Sequence, residues 1–251
     1  MAAGKNKLLR YARIYVGGYN LSGDARSIGS MMAAYGAVEM TGWSDGAKNF
    51  LPDYRLEVGI TGFRALVNDT ASSGAYSVLK GAAQSLPVSV LLGALAEPVA
   101  NDPAYLLAAA QLKSPMGWEG QAAAIGGDFV ADATQIDANS VMPFAEILSP
   151  EASIAATTNG AIVDNGAASS NGAHANLHLI ASSGGTWVFT VKQSTTGAFA
   201  GEETTLMTFT ANGSAVTAEH KSVAGTVARY LRFVATRTSG SVTPVCVLAR
   251  N

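Results

Sequence analysis

The chain has 251 residues, 48% of them hydrophobic, enough to bury a sizeable core in one large β domain or two smaller ones, and this excludes a disordered chain. Only 14% of residues are charged and the formal net charge is −2, so the basic excess of a nucleic-acid binder and the charge blocks of a solvated tail are both missing. The single cysteine, Cys246, excludes an intrachain disulfide and a zinc site built on several thiolates, and it reads as a small buried strand residue.

At the start, Lys5, Lys7 and Arg10 precede an apolar stretch that Arg13 and the Gly17-Gly18 pair interrupt, with no small-residue cleavage site. No run reaches the ~20 apolar residues that cross a bilayer. The expectation is a chain made in a cytoplasm, without a membrane partner.

In chain order, short β runs are expected over Arg13 to Tyr19, Arg55 to Val67, Pro87 to Leu92, Ala104 to Lys113 and Gly117 to Ala133, separated by "SDG", "NDTASSG" and "AEPVANDP" turns. The run "AYLLAAAQLK" has helical composition, but Pro103 and Pro115 frame it at a length that also suits a strand, and strand is the reading taken here. One helix is expected over Ser72 to Gln84, capped by Ser72 or Ser73, with Tyr76, Leu79 and Ala83 on one face.

Composition shifts near Pro150. The following "ASIAATTNGAIVDNGAASSNG" reads as linker and loop, and the balance of charge changes from −3 (ten basic, thirteen acidic residues) to +1 (six and five). Two β domains are therefore expected, residues 1–150 and 151–251, the second able to fold alone from Ala152 onward. In it, Leu177 and Leu179 alternate with His174, Asn176 and His178, and Trp187, Phe189 and Val191 alternate with Val188, Thr190 and Lys192. Further runs ("TTLMTFTA", "SAVTAEHKSV", "TVARYLRFVATR", "SVTPVCVLAR") give six to eight strands, a β-sandwich of jelly-roll or immunoglobulin-like type.

Chemistry is hard to find in this pattern. His174 and His178 are four apart on a strand, about 13 Å along the chain, too far to share one ion; with His220 they read as solvated side chains. Glu202-Glu203 would point oppositely on a strand and reads as a solvated turn. "VDNGAASSNG", with Asp164, Asn165 and Asn171, offers loop oxygens but not the dense acidic spacing of a calcium loop. No nucleophile elbow, P-loop or zinc-protease motif occurs. No enzyme, metal or cofactor is expected. Of the tryptophans, Trp187 reads as core, and Trp43 as a core, edge or interface residue.

The run "RYARIYVGGYNLSGDARSIG", followed by "AVEMTGWSDGAKNFLPDYRLEVGITGF", resembles the tail-tube (major tail) proteins of tailed bacteriophages. The resembling elements are a "GxxLSG" turn at Gly18 to Gly23, a "TxWSD" segment at Thr41 to Asp45 that begins a long loop, and a Pro-led strand from Pro52 to Phe63. "VDNGAASSNGAHANLHLIA", "VARYLRF" and the terminal "LARN" resemble the β-sandwich that some phage tail proteins carry outside the tube.

The resemblance implies a mainly β fold: a tail-tube-like barrel or sandwich with one short helix, followed by an accessory sandwich. It also implies a virion protein without enzymatic activity whose partners are copies of itself in a hexameric ring, other virion proteins, and DNA that passes through a lumen without specific binding. Ring contacts would fall on Ile28, Met32, Ala34, Gly36, Val38 and Trp43, where small residues let backbones approach. An acidic first half would repel the DNA backbone. A capsid decoration or head-completion protein on the same fold, or a host-facing carbohydrate-binding module, remain as alternatives.

Overall fold

A computed structural model describes residues 11–44, 46–71, 73–80, 86–93, 96–113, 116–119, 122–131 and 143–250, with the backbone alone described at 34–36, 52–56, 111–113, 116–119 and 122. These residues are mainly β with one short helix, as the period-two patterning implied. The strands of the first half are β1 (Ala12–Val16), β2 (Tyr19–Asn20), β3 (Ala25–Ser27), β4 (Ser30–Glu39), β5 (Phe50–Leu66), β6 (Leu86–Leu92), β7 (Pro103–Lys113), β8 (Met116–Glu119), β9 (Ala122–Ala131) and β10 (Phe144–Ser149). The second half adds β11 (Thr158–Asp164), β12 (Ala173–Ser182), β13 (Trp187–Ser194), β14 (Thr204–Thr208), β15 (Thr217–Val223), β16 (Tyr230–Arg237) and β17 (Val242–Arg250).

The order β2-β1-β6-β7-β9-β5, with β3 and β4 on β5, makes a nearly closed barrel around Ile14, Val58, Ile60, Phe63, Val88, Val90, Leu107 and Phe129. Gly17 and Gly18 turn β1 into β2 at φ of 58° and 93°, values open to glycine, so that Val16 pairs with Tyr19 in a two-residue hairpin. The "NLSGD" turn that follows is built into the core. Leu21 is fully buried, Ser22 Oγ accepts from the Ile14 amide at 2.9 Å, and Asp24 reaches across to the helix.

That helix, α1 (Ala75–Leu79), is shorter than the sequence implied. Gly74 occupies the N-cap without a side-chain bond, and the cap expected from Ser72 or Ser73 is replaced by Asp24, whose Oδ2 accepts from the Ala75 amide at 2.9 Å. Ser72 and residues 81–85 lie outside the described residues.

Strand β7 is a strand despite its helical composition, because it has partners along both edges. One edge pairs with β6. On the other edge residues 103–105 pair with β10 and residues 110–113 with β9, so the sheet forks there. One branch closes the barrel. The other continues β10-β17-β12-β15 and packs on the four-stranded sheet β11-β16-β13-β14 around Leu177, Trp187, Phe189, Val191, Leu231, Phe233 and Cys246. Trp187 and Cys246 are therefore core residues, as their alternation implied.

The segment expected as linker and loop contains β11, which pairs with β16 and buries Val163 completely. Its Ala, Asn and Gly composition hid it, since an edge strand needs only one inward side chain of any size. The ladder also runs across Pro150, through Ala145↔Ala249 and Ile147↔Val247, and a third core (Tyr15, Leu91, Leu106, Ile147, Val245, Val247) fills the space between barrel and sandwich. Strand β17 is thus buried on both faces.

Tyr105 ties the barrel wall to the strands opposite. Its buried hydroxyl donates to the Met32 carbonyl of β4 at 2.5 Å and accepts from the Gly59 amide of β5 at 3.3 Å. Burial keeps the phenol protonated. Tyr105→Phe is expected to cost about 1–2 kcal/mol, read from a urea midpoint, because the Met32 carbonyl loses its donor while the ring still packs.

Candidate functional site

Strands β4 and β5 extend beyond the barrel as a hairpin arm. Their register runs from Ser30↔Thr61 to Glu39↔Phe50, and the Met40 amide donates to the Asn49 carbonyl at 2.8 Å to close the ladder. Every described residue from 37 to 44 and from 46 to 51 is exposed. The loop is braced locally. Thr41 Oγ1 donates to Glu39 Oε1 at 3.0 Å and accepts from the Asn49 amide at 3.1 Å, and Lys48 Nζ lies 3.1 Å from Glu39 Oε2.

Pro52 fits in β5 because, among the described residues, that part of the strand pairs with β4, while β9 joins from Gly59 onward.

The arm is apolar where a solvated loop would be polar. Val38 (51%), Met40 (58%), Phe50 (55%) and Leu51 (53%) are more than half exposed, and Trp43 is fully exposed. Val38 and Leu51 are cross-strand partners, so they present one patch. Phe50 pairs with Glu39 on the other face, so the hairpin is apolar on both sides; a two-stranded hairpin is marginal in water by itself, and exposed apolar side chains concentrated in this way mark an interaction surface. Among the described residues β4 has one partner strand, β5, the arrangement of an edge strand.

Of the residues the sequence singled out, Val38 and Trp43 stand on the arm. Ile28 packs against the barrel core, and the Met32 carbonyl is held by Tyr105. Ala34 and Gly36 lie on the β4 backbone near the base of the arm, and their surroundings lie outside the described side chains. Met40, Phe50 and Leu51 were missed. Their signal was the apolar pair on either side of the polar turn "SDGAKN", which a buried strand would not place beside a loop.

The histidines are the main correction. His174 and His178 are not solvated but buried, at 2% and 0% exposure, with Asn176 at 0%, on the face of β12 that packs against the barrel, and His220 is half-buried. Asn176 Nδ2 donates to the carbonyls of Val88 and Leu107 at 3.1 and 3.0 Å, beside the irregular register between β6 and β7, and lies 3.1 Å from Ser89 Oγ. This fixes the amide orientation, so Asn176 Oδ1 accepts from His220 Nδ1 at 2.9 Å and His220 Nε2 accepts from His174 Nδ1 at 3.1 Å. His178 Nε2 lies 2.9 Å from Ser89 Oγ, its ring meets that of Tyr15, and its Nδ1 has no partner. Desolvation holds the His178 pKa down at about 3. The cluster is a polar seam between barrel and sandwich.

Other candidates have structural occupations. Asp164 is gripped by Arg229 through Nε and Nη2 at 2.6 and 2.7 Å, and its pKa falls to about 2 under that pairing and the Gly166 amide. Glu202 accepts from Ser194, Thr196 and the amides of Phe199 and Ala200, which shape the loop and lower its pKa to about 2. Among the described residues no three His, Cys, Asp or Glu side chains group as metal ligands, and no helix is long and apolar enough to cross a membrane.

No family model matches the chain, and no curated protein matches it. Among solved structures it is similar to the SPP1 Dit (gp 19.1) protein, described as a paradigm of the hub adsorption apparatus in phages infecting Gram-positive hosts, at 10% identity and a TM-score of 0.33, over 94% of this chain and 98% of that one. At that identity and score the likeness decides nothing about this chain.

Proposed function

We propose that the chain is a structural, non-enzymatic virion protein of a tailed bacteriophage whose copies assemble into stacked rings of a tail tube, through which DNA passes without specific binding. The observation that carries the reading is the exposed apolar arm, with β4 at its root paired to β5 alone among the described residues. A second copy of this chain is the partner that fits. Its own strands can extend the β4 ladder and remove the exposed edge, and a ring closes such head-to-tail pairing without leaving a free end.

Glu39 and Lys48 of the arm pair with each other, and with Asp45 counted the segment 37–51 carries a formal net charge of only −1, so little charge opposes contact between like surfaces. The "GxxLSG" and "TxWSD" resemblance supports the same assignment; the first segment is built into the barrel that carries the arm, and the second falls at the arm's tip. The acidic balance of the first half, ten basic against thirteen acidic residues, suits a lumen that DNA does not adhere to.

Electron microscopy of the purified chain at rising concentration tests this. Rings and stacks of rings are the expected outcome. Particles that stay monomeric at every concentration would contradict it, and trimers that capture capsids would favour a decoration protein.

A further inference from the structure

A second surface lies away from the arm, at the open end of the sandwich. A cavity of about 400 Å³ opens there between the two sheets, lined among others by Asn101, Phe144, Glu146, Asn165, Leu248 and Arg250. Glu146 pairs with Leu248 of β17 on one side and Pro103 of β7 on the other, so these three share one face of the sheet. Leu248 is core and forms an apolar floor, while Phe144 stands at the rim at 59% exposure. Asn165 comes from the opposite sheet, just past β11.

The polar groups are unequally used. Arg250 donates through Nη2 to the carbonyls of Asn165 and Ala167 at 3.0 and 2.6 Å, and through Nη1 to Ala228 at 3.4 Å. Its donors are spent on holding the sheets together. Glu146 is half-buried, is influenced by the Arg250 charge, and accepts no hydrogen bond from its side chain's surroundings among the described residues. A half-buried carboxylate that makes no side-chain hydrogen bond among the described residues has acceptor capacity to offer in this cavity. A ligand rich in hydrogen-bond donors would use it.

The ligand's charge follows from the same pair. Glu146 repels an anion, Arg250 repels a cation, and together they are neutral. An exposed aromatic ring beside an apolar floor asks for a ligand with an apolar face. Neighbouring hydroxyls over a C–H face are the chemistry of a pyranose, and 400 Å³ lies in the range of small-molecule sites. We propose that this cleft binds a neutral hexopyranose unit, with Glu146 accepting from a pair of its hydroxyls and Phe144 lying against its C–H face. The site is independent of the arm, so it stands or falls apart from the assembly reading.

Saturation-transfer NMR on the full chain tests it with glucose, galactose, mannose and N-acetylglucosamine as neutral probes, and glucosamine and glucuronate as charged ones. Saturable binding of at least one neutral sugar is expected, with the charged analogues weaker. Glu146→Gln and Phe144→Ala should each weaken it by about tenfold, as the loss of a charge-assisted bond or an aromatic contact implies. Burial raises the Glu146 pKa, so binding should weaken on acidification before an ordinary glutamate would protonate. Phe144 is exposed at the rim but meets the buried Tyr105 ring edge-on, so the variant's urea midpoint is measured beside its binding; sugar-induced shifts of the Phe144 and Arg250 amides provide a readout without any variant. No saturable transfer from any neutral sugar, tighter binding of glucosamine or glucuronate, or binding unchanged in both variants would overturn the proposal.

Discussion

Replacing Asn176 by Leu is expected to destabilise the protein by roughly 3–5 kcal/mol, because each buried polar group left without a partner costs about 1–3 kcal/mol. Leu has the same number of side-chain heavy atoms as Asn, branched at the same carbon, and is the bulkier of the two, so no cavity opens. What is lost is the side-chain donor to the Val88 and Leu107 carbonyls and the acceptor of the His220 Nδ1–H, all at a fully buried position. Asn176 touches β6, β7 and β15 at once, so its loss loosens barrel from sandwich. Equilibrium urea unfolding measures it. A cost below about 1 kcal/mol would mean that the seam contributes little beyond its packing.

The second large effect is acid lability. His178 is fully buried and uncharged, with a pKa near 3 in the fold against ~6.5 in an unfolded chain. Below pH ~6.5 the unfolded chain therefore binds a proton that the folded chain refuses, so stability is complete above that pH and falls as pH drops toward 3. The full span amounts to roughly 3–5 kcal/mol.

The groups packed around the ring are the Tyr15 ring, Ser89 and, on the same face, Asn176, so no carboxylate offsets the loss; Glu151 bonds the far end of Tyr15 through its hydroxyl. The lowered carboxylates, Asp164, Glu202, Glu203 and Glu219, lose their partners only in the lower, carboxylate range. Urea unfolding between pH 8 and pH ~4.5 should show the decline before those groups protonate. His178→Phe, which keeps a ring against Tyr15, should flatten that part of the profile. An unchanged slope in the variant would assign the acid sensitivity elsewhere.

The seam also shows where sequence reading stopped. Strand positions were legible wherever apolar residues alternated, as at Trp187, Phe189 and Val191, because one face of those strands meets the core and the other meets water. In β12 the same alternation misled. Leu177 and Leu179 face the sandwich core as expected, but the opposite face meets the barrel, and its His and Asn side chains are buried through mutual hydrogen bonding. Local sequence has no information on a second layer contributed by residues 88–107. One clue was available: that face carries no charge, whereas the exposed face of β13 carries Lys192.

The fork at β7 was hidden for a similar reason, since sharing one strand edge between β9 and β10 is a property of topology and not of composition. On the arm, the run of small residues drew attention to β4, and the turn "TGWSDG" to its end. The apolar residues on both sides of that turn were the stronger signal, because they stand exposed at the end of a hairpin.

The most direct test of assembly through the arm is sedimentation velocity of the wild type against a Trp43→Ser, Phe50→Ser double variant, over a range of concentrations. Both side chains are exposed, so the monomer's urea midpoint should hardly move. Each would bury apolar surface worth about 1.5–3 kcal/mol at a contact between copies. The account predicts concentration-dependent assembly of the wild type into ring-sized particles, and a variant that remains monomeric at the same concentrations. A variant that assembles like the wild type, or a wild type that stays monomeric throughout, would contradict it.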